Sequence, residues 1–136
     1  MLFKLYILYL LYIRLYYIKY CNMVARELLK GSLRSIVLKL LAENGKMYGY
    51  EITQKVEELT AGKIKLTYGA LYPILHKLEV DGAVITESEN YNNRIRIYYS
   101  LTPKGTGFAE EKVKELQEFI DVITILLKPG YQIKNG

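Results

Sequence analysis

The order of apolar patterns along the chain predicts a mainly α fold with a small β-hairpin, of the α+β class. Three segments with helical periodicity come first, two extended segments follow, and one long helical segment comes last. This order is that of a winged helix-turn-helix with one added helix. We therefore divide the chain into an atypical extension at 1–22, a winged helix-turn-helix domain at 23–102, a C-terminal dimerisation helix at 103–128 and a flexible tail at 129–136.

The first helix is predicted from about residue 25 to residue 43, where Asn44 and Gly45 form a stop signal. Gly31 and Ser32 weaken its first turn, so Ser32 is an alternative start. Its apolar residues recur at helical spacing and form one wide face. They are Leu29, Leu33, Ile36, Val37, Leu40 and Leu41.

The second helix is predicted from about Tyr48 to Leu59. Ile52, Val56 and Leu59 follow the spacing i, i+4, i+7 and are expected to face the core. The segment 60–62, which contains a glycine, ends this helix.

The third helix is predicted to begin after Thr67, a suitable N-cap, and to end at 81–82. Pro73 lies inside this pattern, and a proline deep in a helix costs ~3 kcal/mol. The helix must therefore begin close to 68–72 or bend there. Its residues expected in the core are Leu71, Ile74, Leu75 and Leu78.

The two extended segments, 83–87 and 95–101, are predicted to form the β-hairpin, with a polar loop at 88–94 between them. In the second segment Ile95, Ile97, Tyr99 and Leu101 alternate with polar residues and define one face.

The last helix is predicted to start after Thr102 and Pro103 and to run to about Lys128, with a stop at 129–130. Its apolar residues follow a 4-3-4-3-4 spacing, which is typical of a coiled-coil seam. Such a face exceeds what one small domain covers, so we expect it to pack on helix one and on the last helix of a second copy. The alternative is packing entirely within one subunit. The dimerisation residues predicted are Ala109, Val113, Leu116, Phe119, Ile120, Ile123 and Leu127.

Residues 1–22 differ in composition from the rest, with six tyrosines, three cations and no acid. Three interpretations compete: a membrane-associated or anchoring helix, an export signal, and upstream sequence read in frame before a start at Met23. A membrane span is not expected, because the longest uncharged run, Leu5 to Ile13, is far short of the roughly 20 residues that a span needs. No small-residue cleavage site follows, which disfavours an export signal.

The net charge of +5 invites a nucleic-acid interpretation, but residues 1–22 supply three of those charges. The remainder has 16 basic and 14 acidic residues, so the position of the charges matters more than their sum. No acidic residue lies between Glu58 and Glu79, where Lys63, Lys65 and Lys77 are found. The third helix and its approach are therefore predicted to be positive.

In a winged helix-turn-helix the third helix enters the major groove of DNA and the hairpin flanks it. Lysine and arginine would neutralise phosphates, while other polar side chains would contact phosphates or base edges. Partial burial of the tyrosines and solvation of the charged residues are the competing interpretations. The DNA-binding residues predicted are Tyr48, Tyr50, Gln54, Lys65, Thr67, Tyr68, Tyr72, His76, Lys77, Asn93, Arg94 and Arg96.

Four motifs in the right order resemble the PadR-like transcriptional regulators. They read LKGSL at 29–33, YGYEI at 48–52, YGALYPILHKLE at 68–79 and RIYYSLT at 96–102, followed by Gly105. The resemblance implies a homodimeric bacterial repressor with a role for Tyr68, Tyr72 and the basic wing in operator binding. The single helix after the hairpin resembles the small members of that family.

The chain departs from the family in two respects. Family wings often carry a denser basic run than this one. Some small members bind planar drugs between tryptophans of the last helices, whereas this chain has no tryptophan and carries Leu116 at the corresponding position. A small hydrophobic effector between the last helices is therefore a hypothesis, and Phe108 and Phe119 are the aromatic residues near that position.

Catalysis is not expected, because one histidine, one cysteine and no acidic pair at a recognisable spacing provide neither a triad nor a metal site. No cofactor is expected. The single Cys21 can form no internal disulfide, which favours a reducing, cytoplasmic location. The expected partners are double-stranded DNA with a pseudo-palindromic operator and a second copy of the chain. The alternative function is that of a winged-helix protein–protein adaptor.

Overall fold

The computed structural model describes the backbone of residues 1–129 and the side chains of 1–16 and 26–129. The helices are α1 Leu2–Asn44, α2 Gly49–Leu59, α3 Tyr68–Val80 and α4 Pro103–Leu127, and the strands are β1 Met47–Tyr48, β2 Val84–Tyr91 and β3 Arg94–Leu101. The three strands form one antiparallel sheet in the order β1-β3-β2. The tail predicted beyond Pro129 lies outside the described residues. The fold is thus mainly helical with a small sheet, as predicted.

Helix α1 begins at Leu2, so the predicted start near residue 25 or at Ser32 was wrong. The helix continues through Gly31 and Ser32 because one glycine costs only about 1 kcal/mol in a helix, and the residues before it are good helix formers. The fold divides at this point into a unit 1–31 and a unit 32–136. Within the first unit, the apolar side chains of residues 2–12 are exposed. No helix in the described part of the chain is long and apolar enough to cross a membrane.

The core of the second unit is formed by the apolar faces of three helices. Leu33, Val37, Leu38, Leu40 and Leu41 of α1 meet Ile52 and Val56 of α2 and Leu71, Leu75 and Leu78 of α3. Leu59, however, is 64% exposed, so the prediction that it faces the core was wrong. Helix α2 ends there, and Ile64 and Leu66 of the following segment pack against the core instead.

Helix α3 is capped as the sequence predicts, because the Thr67 hydroxyl accepts a hydrogen bond from the Ala70 amide at 3.2 Å. Pro73 is the sixth residue of this helix, beyond the first turn. Burial of Leu71, Leu75 and Leu78 holds the helix through that position. The helix ends at Val80, and Gly82 takes a positive φ of 74° just after it.

The β-hairpin, here called the wing (84–101), is longer than predicted. β2 and β3 stay paired up to Tyr91 and Arg94, so the predicted seven-residue loop is only Asn92 and Asn93. Both asparagines have positive φ, 47° and 61°, which allows a two-residue turn that matches the twist of the strands. The tip therefore extends well past the core, and Ile95, expected on the apolar face, is 74% exposed.

Strand β1 was not predicted, because two residues carry no periodic signal. Met47 and Tyr48 pair with Tyr99 and Tyr98 of β3. This pairing joins the base of the wing directly to the start of α2, which begins at the next residue.

Helix α4 starts as predicted, with Thr102 as N-cap: its hydroxyl accepts from the Gly105 amide at 3.0 Å. Gly105 is buried against Ala83, the residue before β2, and a Cβ at this position would overlap the carbonyl oxygen of Ala83. The close approach anchors the first turn of α4 to the segment between α3 and β2.

Candidate nucleic-acid interface

One side of α3 is buried and the opposite side is open to solvent. Tyr68, Tyr72 and His76 follow each other at intervals of four residues and are all exposed, the two tyrosines by 50% and 46%. Residues four apart lie on one helix face, so the three side chains form a continuous stripe. This stripe, here called the α3 stripe, contains hydrogen-bonding groups and flat rings but no acid.

Two contacts fix the position of Tyr72 in the stripe. Its ring lies 5.8 Å from that of Tyr68 in a tilted arrangement. Its hydroxyl covers Gly49, the first residue of α2, so closely that a Cβ on Gly49 would lie 2.6 Å from the hydroxyl oxygen. Tyr72 therefore packs between the two helices and remains half open to solvent. Its environment is compatible both with partial burial and with contact to DNA, the two interpretations of its place in the sequence.

The lysines beside the stripe have carboxylate partners that the charge pattern did not reveal. Lys65 lies 3.5 Å from Glu57, and Lys77 lies 3.0 Å from Asp81. Glu57 and Asp81 lie just outside the acid-free interval, residues 59–78, in sequence. In space, however, their carboxylates lie next to the two lysines. These pairs are exposed, and such pairs typically contribute about 0–1 kcal/mol. The lysines can therefore exchange a carboxylate partner for a phosphate with only a small change in free energy.

Asp81 joins α3 to two other helices. Its carboxylate accepts from Lys77 at 3.0 Å and from Arg34 of α1 at 2.9 Å, and its carbonyl accepts from Lys104 of α4 at 2.8 Å. The hydrogen bond from Lys77 contributes most to lowering the pKa of Asp81, and Arg34 and Lys104 lower it further. The ionised carboxylate thus holds the end of α3 in place.

The residues predicted on α2 have different environments. Tyr50 and Gln54 are exposed, whereas Tyr48 is half-buried beside the sheet. The Tyr48 amide donates to Glu51 at 3.0 Å, which caps α2. Its ring stacks on Tyr50 at 6.2 Å and meets the edge of Tyr98 at 5.3 Å. Tyr48 is therefore mainly a packing residue, and Tyr50 and Gln54 are the open ones.

The wing tip presents Asn93 and Arg94 to solvent. Arg96, two residues further along the same face, lies over the rings of Tyr91 at 3.8 Å and Tyr48 at 4.5 Å. A hydrogen bond with the Tyr98 hydroxyl is the main cause that raises the pKa of Arg96, which stays charged.

A depression of about 380 Å³ at the tip is lined by Tyr91, Asn92, Arg94 and Arg96.

The sequence interpretation missed Tyr91 and Tyr98 as parts of this arrangement. The sequence pattern predicts Tyr91 in the polar loop and Tyr98 on the polar face of the second extended segment. The two asparagines at 92–93 were the available signal, because a two-residue turn places Tyr91 opposite Arg94.

The seam predicted on α4 is buried only at its beginning. Ala109 is buried, and Val113, Leu116 and Ile123 are half-buried. Phe119 is 61% exposed, and Ile120 and Leu127 are also open, as are Val122, Ile125 and Leu126. A single chain thus leaves an apolar face along the second half of α4.

Comparisons with known proteins place the chain among transcriptional regulators. Residues 37–111 match the model of the transcriptional regulator PadR-like family. The Transcriptional regulator Rv3488 of Mycobacterium tuberculosis is 33% identical over 93 residues, which cover 68% of this chain and 83% of that protein.

Solved structures agree with this placement. A PadR family transcriptional regulator from Eggerthella lenta superimposes with a TM-score of 0.69 at 25% identity, covering 85% of this chain and 98% of that one. A transcriptional regulator from Clostridium thermocellum superimposes with a TM-score of 0.68 at 28% identity, covering 75% of this chain and 99% of that one.

Proposed function

The chain belongs to the PadR-like family of transcriptional regulators, and from this premise we propose that it represses transcription as a homodimer bound to a pseudo-palindromic operator. Its fold is the winged helix-turn-helix of a DNA-binding regulator. The proposal depends above all on the α3 stripe, an exposed helix face of two tyrosines and a histidine with lysines at its borders.

We propose that α3 lies in the major groove, where Tyr68, Tyr72 and His76 contact base edges or phosphates. Thr67, which caps the helix, and Lys65 stand at its N-terminal end, where the helix dipole favours phosphate.

Lys77 reaches a phosphate further along the helix, and Tyr50 and Gln54 of α2 contact the adjoining backbone. At the wing tip Asn93 and Arg94 contact the flanking DNA.

We propose that the open half of α4 is covered by the same helix of a second copy. Phe119, Ile120 and Leu127 are exposed there, and a large exposed apolar face marks an interaction surface in a soluble protein. Pairing around a two-fold axis would present two α3 helices roughly 34 Å apart, one turn of DNA. A small hydrophobic effector that enters this interface and favours one dimer geometry would change operator affinity.

The experiment selects duplexes with the purified protein from a randomised pool and then measures their affinity as a function of salt concentration. We expect enrichment of a sequence with two-fold symmetry and an affinity that falls steeply with salt, because phosphate contacts release counterions. The double variant Lys65→Gln, Lys77→Gln is expected to flatten the salt dependence. Lys114→Gln, an exposed lysine of α4, is the matched control and should leave it unchanged.

A protein adaptor with the same fold would give a different result. It would enrich no sequence and bind duplex DNA no better at low than at physiological salt concentration. That outcome would refute DNA binding as the function of the α3 stripe.

A further inference from the structure

The wing depends on surface contacts for its orientation. Every residue from 85 to 95 is exposed, so no buried side chain holds this part of the hairpin against the helices. β1 pairs with β3 only as far as Tyr98, which leaves the rest of that edge towards the tip without a neighbouring strand among the described elements. A hairpin of this kind is free to pivot about its base unless side chains restrain it.

Arg96 makes such a contact. It lies two residues beyond Tyr98 towards the tip, and its guanidinium is placed between two rings from different elements. Tyr91, at 3.8 Å, is the last residue of β2. Tyr48, at 4.5 Å, belongs to β1 and immediately precedes α2. The cation therefore connects the tip of the wing with the start of the helix-turn-helix.

The charge partners around Arg96 support this role. Glu89 lies directly opposite Arg96 across the hairpin, yet Glu89 pairs with Lys46. The guanidinium instead lies over both rings, where an arginine can combine cation–π attraction with stacking. Lys46 also pairs with Glu87 at 3.4 Å, but exposed ion pairs of this kind contribute little.

Tyr48 is itself well fixed, which makes it a suitable anchor. Its ring contacts Tyr50 at 6.2 Å and Tyr98 at 5.3 Å, and its amide caps α2 through Glu51. Successive contacts thus connect the wing tip with the first turn of α2, through Tyr91, Arg96, Tyr48 and Tyr50 in that order.

We infer that Arg96 is a positioning residue: held between Tyr91 and Tyr48, it sets the angle of the wing against α2 so that Asn93 and Arg94 reach the DNA flanking α3. This inference rests on the proposed function and refines the earlier prediction that Arg96 itself contacts DNA. A phosphate contact needs only a cation, whereas this role needs a planar cation and both rings.

The first test measures wing order without DNA, by hydrogen exchange of the backbone amides of residues 88–95. We expect faster exchange in Arg96→Lys, Arg96→Gln and Tyr91→Leu than in the wild-type protein, with unchanged exchange in α2 and α3. The α2 and α3 amides show whether each variant is folded. Unchanged exchange in the wing of all three variants would overturn the inference, whatever the protein does with DNA.

The second test uses the duplex that the wild-type protein enriches from the randomised pool. We expect Arg96→Lys and Arg96→Gln each to lower affinity about ten-fold with an unaltered slope of log affinity against log salt. Arg94→Gln, the matched control, should lower that slope by about one. The double variant Arg96→Gln, Tyr91→Leu should lose no more affinity than either single variant, since both remove one arrangement.

The opposite pattern identifies a phosphate contact. If Arg96→Lys keeps the wild-type affinity and Arg96→Gln lowers the slope by about one, Arg96 binds DNA directly and the positioning role is wrong. If the wild-type protein enriches no duplex, the proposed function fails, while the exchange of the wing amides still decides whether Arg96 orients the wing.

Discussion

At the residue scale, Lys65 and Lys77 each pair with a carboxylate, and each is proposed to contact a phosphate. Their ion pairs with Glu57 and Asp81 keep the surface near neutrality in the free protein. If these lysines contact DNA as proposed, phosphate must compete with the carboxylates for the same ammonium groups. Each lysine therefore contributes to affinity less than an unpaired one would.

Lys77→Gln tests this competition. We expect the slope of log affinity against log salt to fall by about one, because one phosphate contact is lost. Glu57→Gln, which frees Lys65 from its carboxylate, should raise affinity for duplex DNA. Fluorescence anisotropy over a series of salt concentrations measures both. A slope unchanged in Lys77→Gln would show that this lysine meets no phosphate.

A second residue-scale prediction concerns Gly105. Substitution by alanine places a Cβ against the carbonyl of Ala83, so the first turn of α4 must move away from the segment between α3 and β2. We expect Gly105→Ala to lower the free energy of unfolding by about 1–3 kcal/mol. Gly107→Ala is the matched control: no atom lies within 4 Å of its Cβ, and alanine favours the helix by up to about 1 kcal/mol.

Urea denaturation of the two glycine variants provides the measurement. The contact is confirmed if Gly105→Ala unfolds at lower urea than the wild-type protein and Gly107→Ala at equal or higher urea. Equal stability of the two variants would contradict the packing of α4 on the segment between α3 and β2 described above.

At the element scale, the junction at Asp81 connects α1, α3 and α4. The pKa of Asp81 lies below its ordinary value of 3.8, mainly because of the hydrogen bond from Lys77. A lowered pKa means that the ionised carboxylate stabilises the fold. This contribution is complete above the ordinary pKa and is lost as the pH falls through the lower, folded-state value.

We therefore expect acidification from about pH 5 to pH 2 to reduce the melting temperature less in Asp81→Asn than in the wild-type protein. The asparagine keeps the size of the side chain and removes its titration. Circular dichroism melts at several pH values measure the difference. Parallel curves for the two proteins would mean that Asp81 titrates alike in the folded and unfolded chain.

The order of the elements followed from the sequence, because the helices of the core carry strong periodic patterns and clear caps. Thr67 and Thr102 begin α3 and α4 as predicted. Contacts between distant residues were not encoded in any local pattern. The two-residue β1, the exposure of Leu59 and the length of the wing all depend on which segments meet in space.

The candidate site was predictable to a similar extent. The α3 stripe follows from spacing alone, since Leu71, Leu75 and Leu78 define the buried side and leave Tyr68, Tyr72 and His76 outside. The acid-free interval was a weaker guide, because Glu57 and Asp81 reach the lysines from outside it. The stacking of Arg96 required the register of the hairpin and the existence of β1.

At the scale of the whole molecule, the open apolar half of α4 and the α3 stripe are the two surfaces that a symmetric dimer on DNA requires. A monomer would present one short recognition helix, whose contacts cover few base pairs. The proposed pairing through α4 would double that surface and fix the spacing of its halves.

Phe119→Glu should therefore disrupt the dimer, because it places a charge in the centre of the proposed interface. We expect a monomer in sedimentation velocity at micromolar concentration and loss of most of the operator affinity. Lys114→Glu changes the charge of an exposed residue on the same helix and serves as the control. A Phe119→Glu protein that sediments like the wild type would place the interface elsewhere.

The most direct measurement of the central claim is a hydroxyl-radical footprint of the wild-type protein on its selected duplex. Symmetric operator binding predicts two protected backbone segments centred about one helical turn apart, each flanked by protection from the wing. A single protected region, or uniform weak protection along the duplex, would contradict symmetric operator binding through α3.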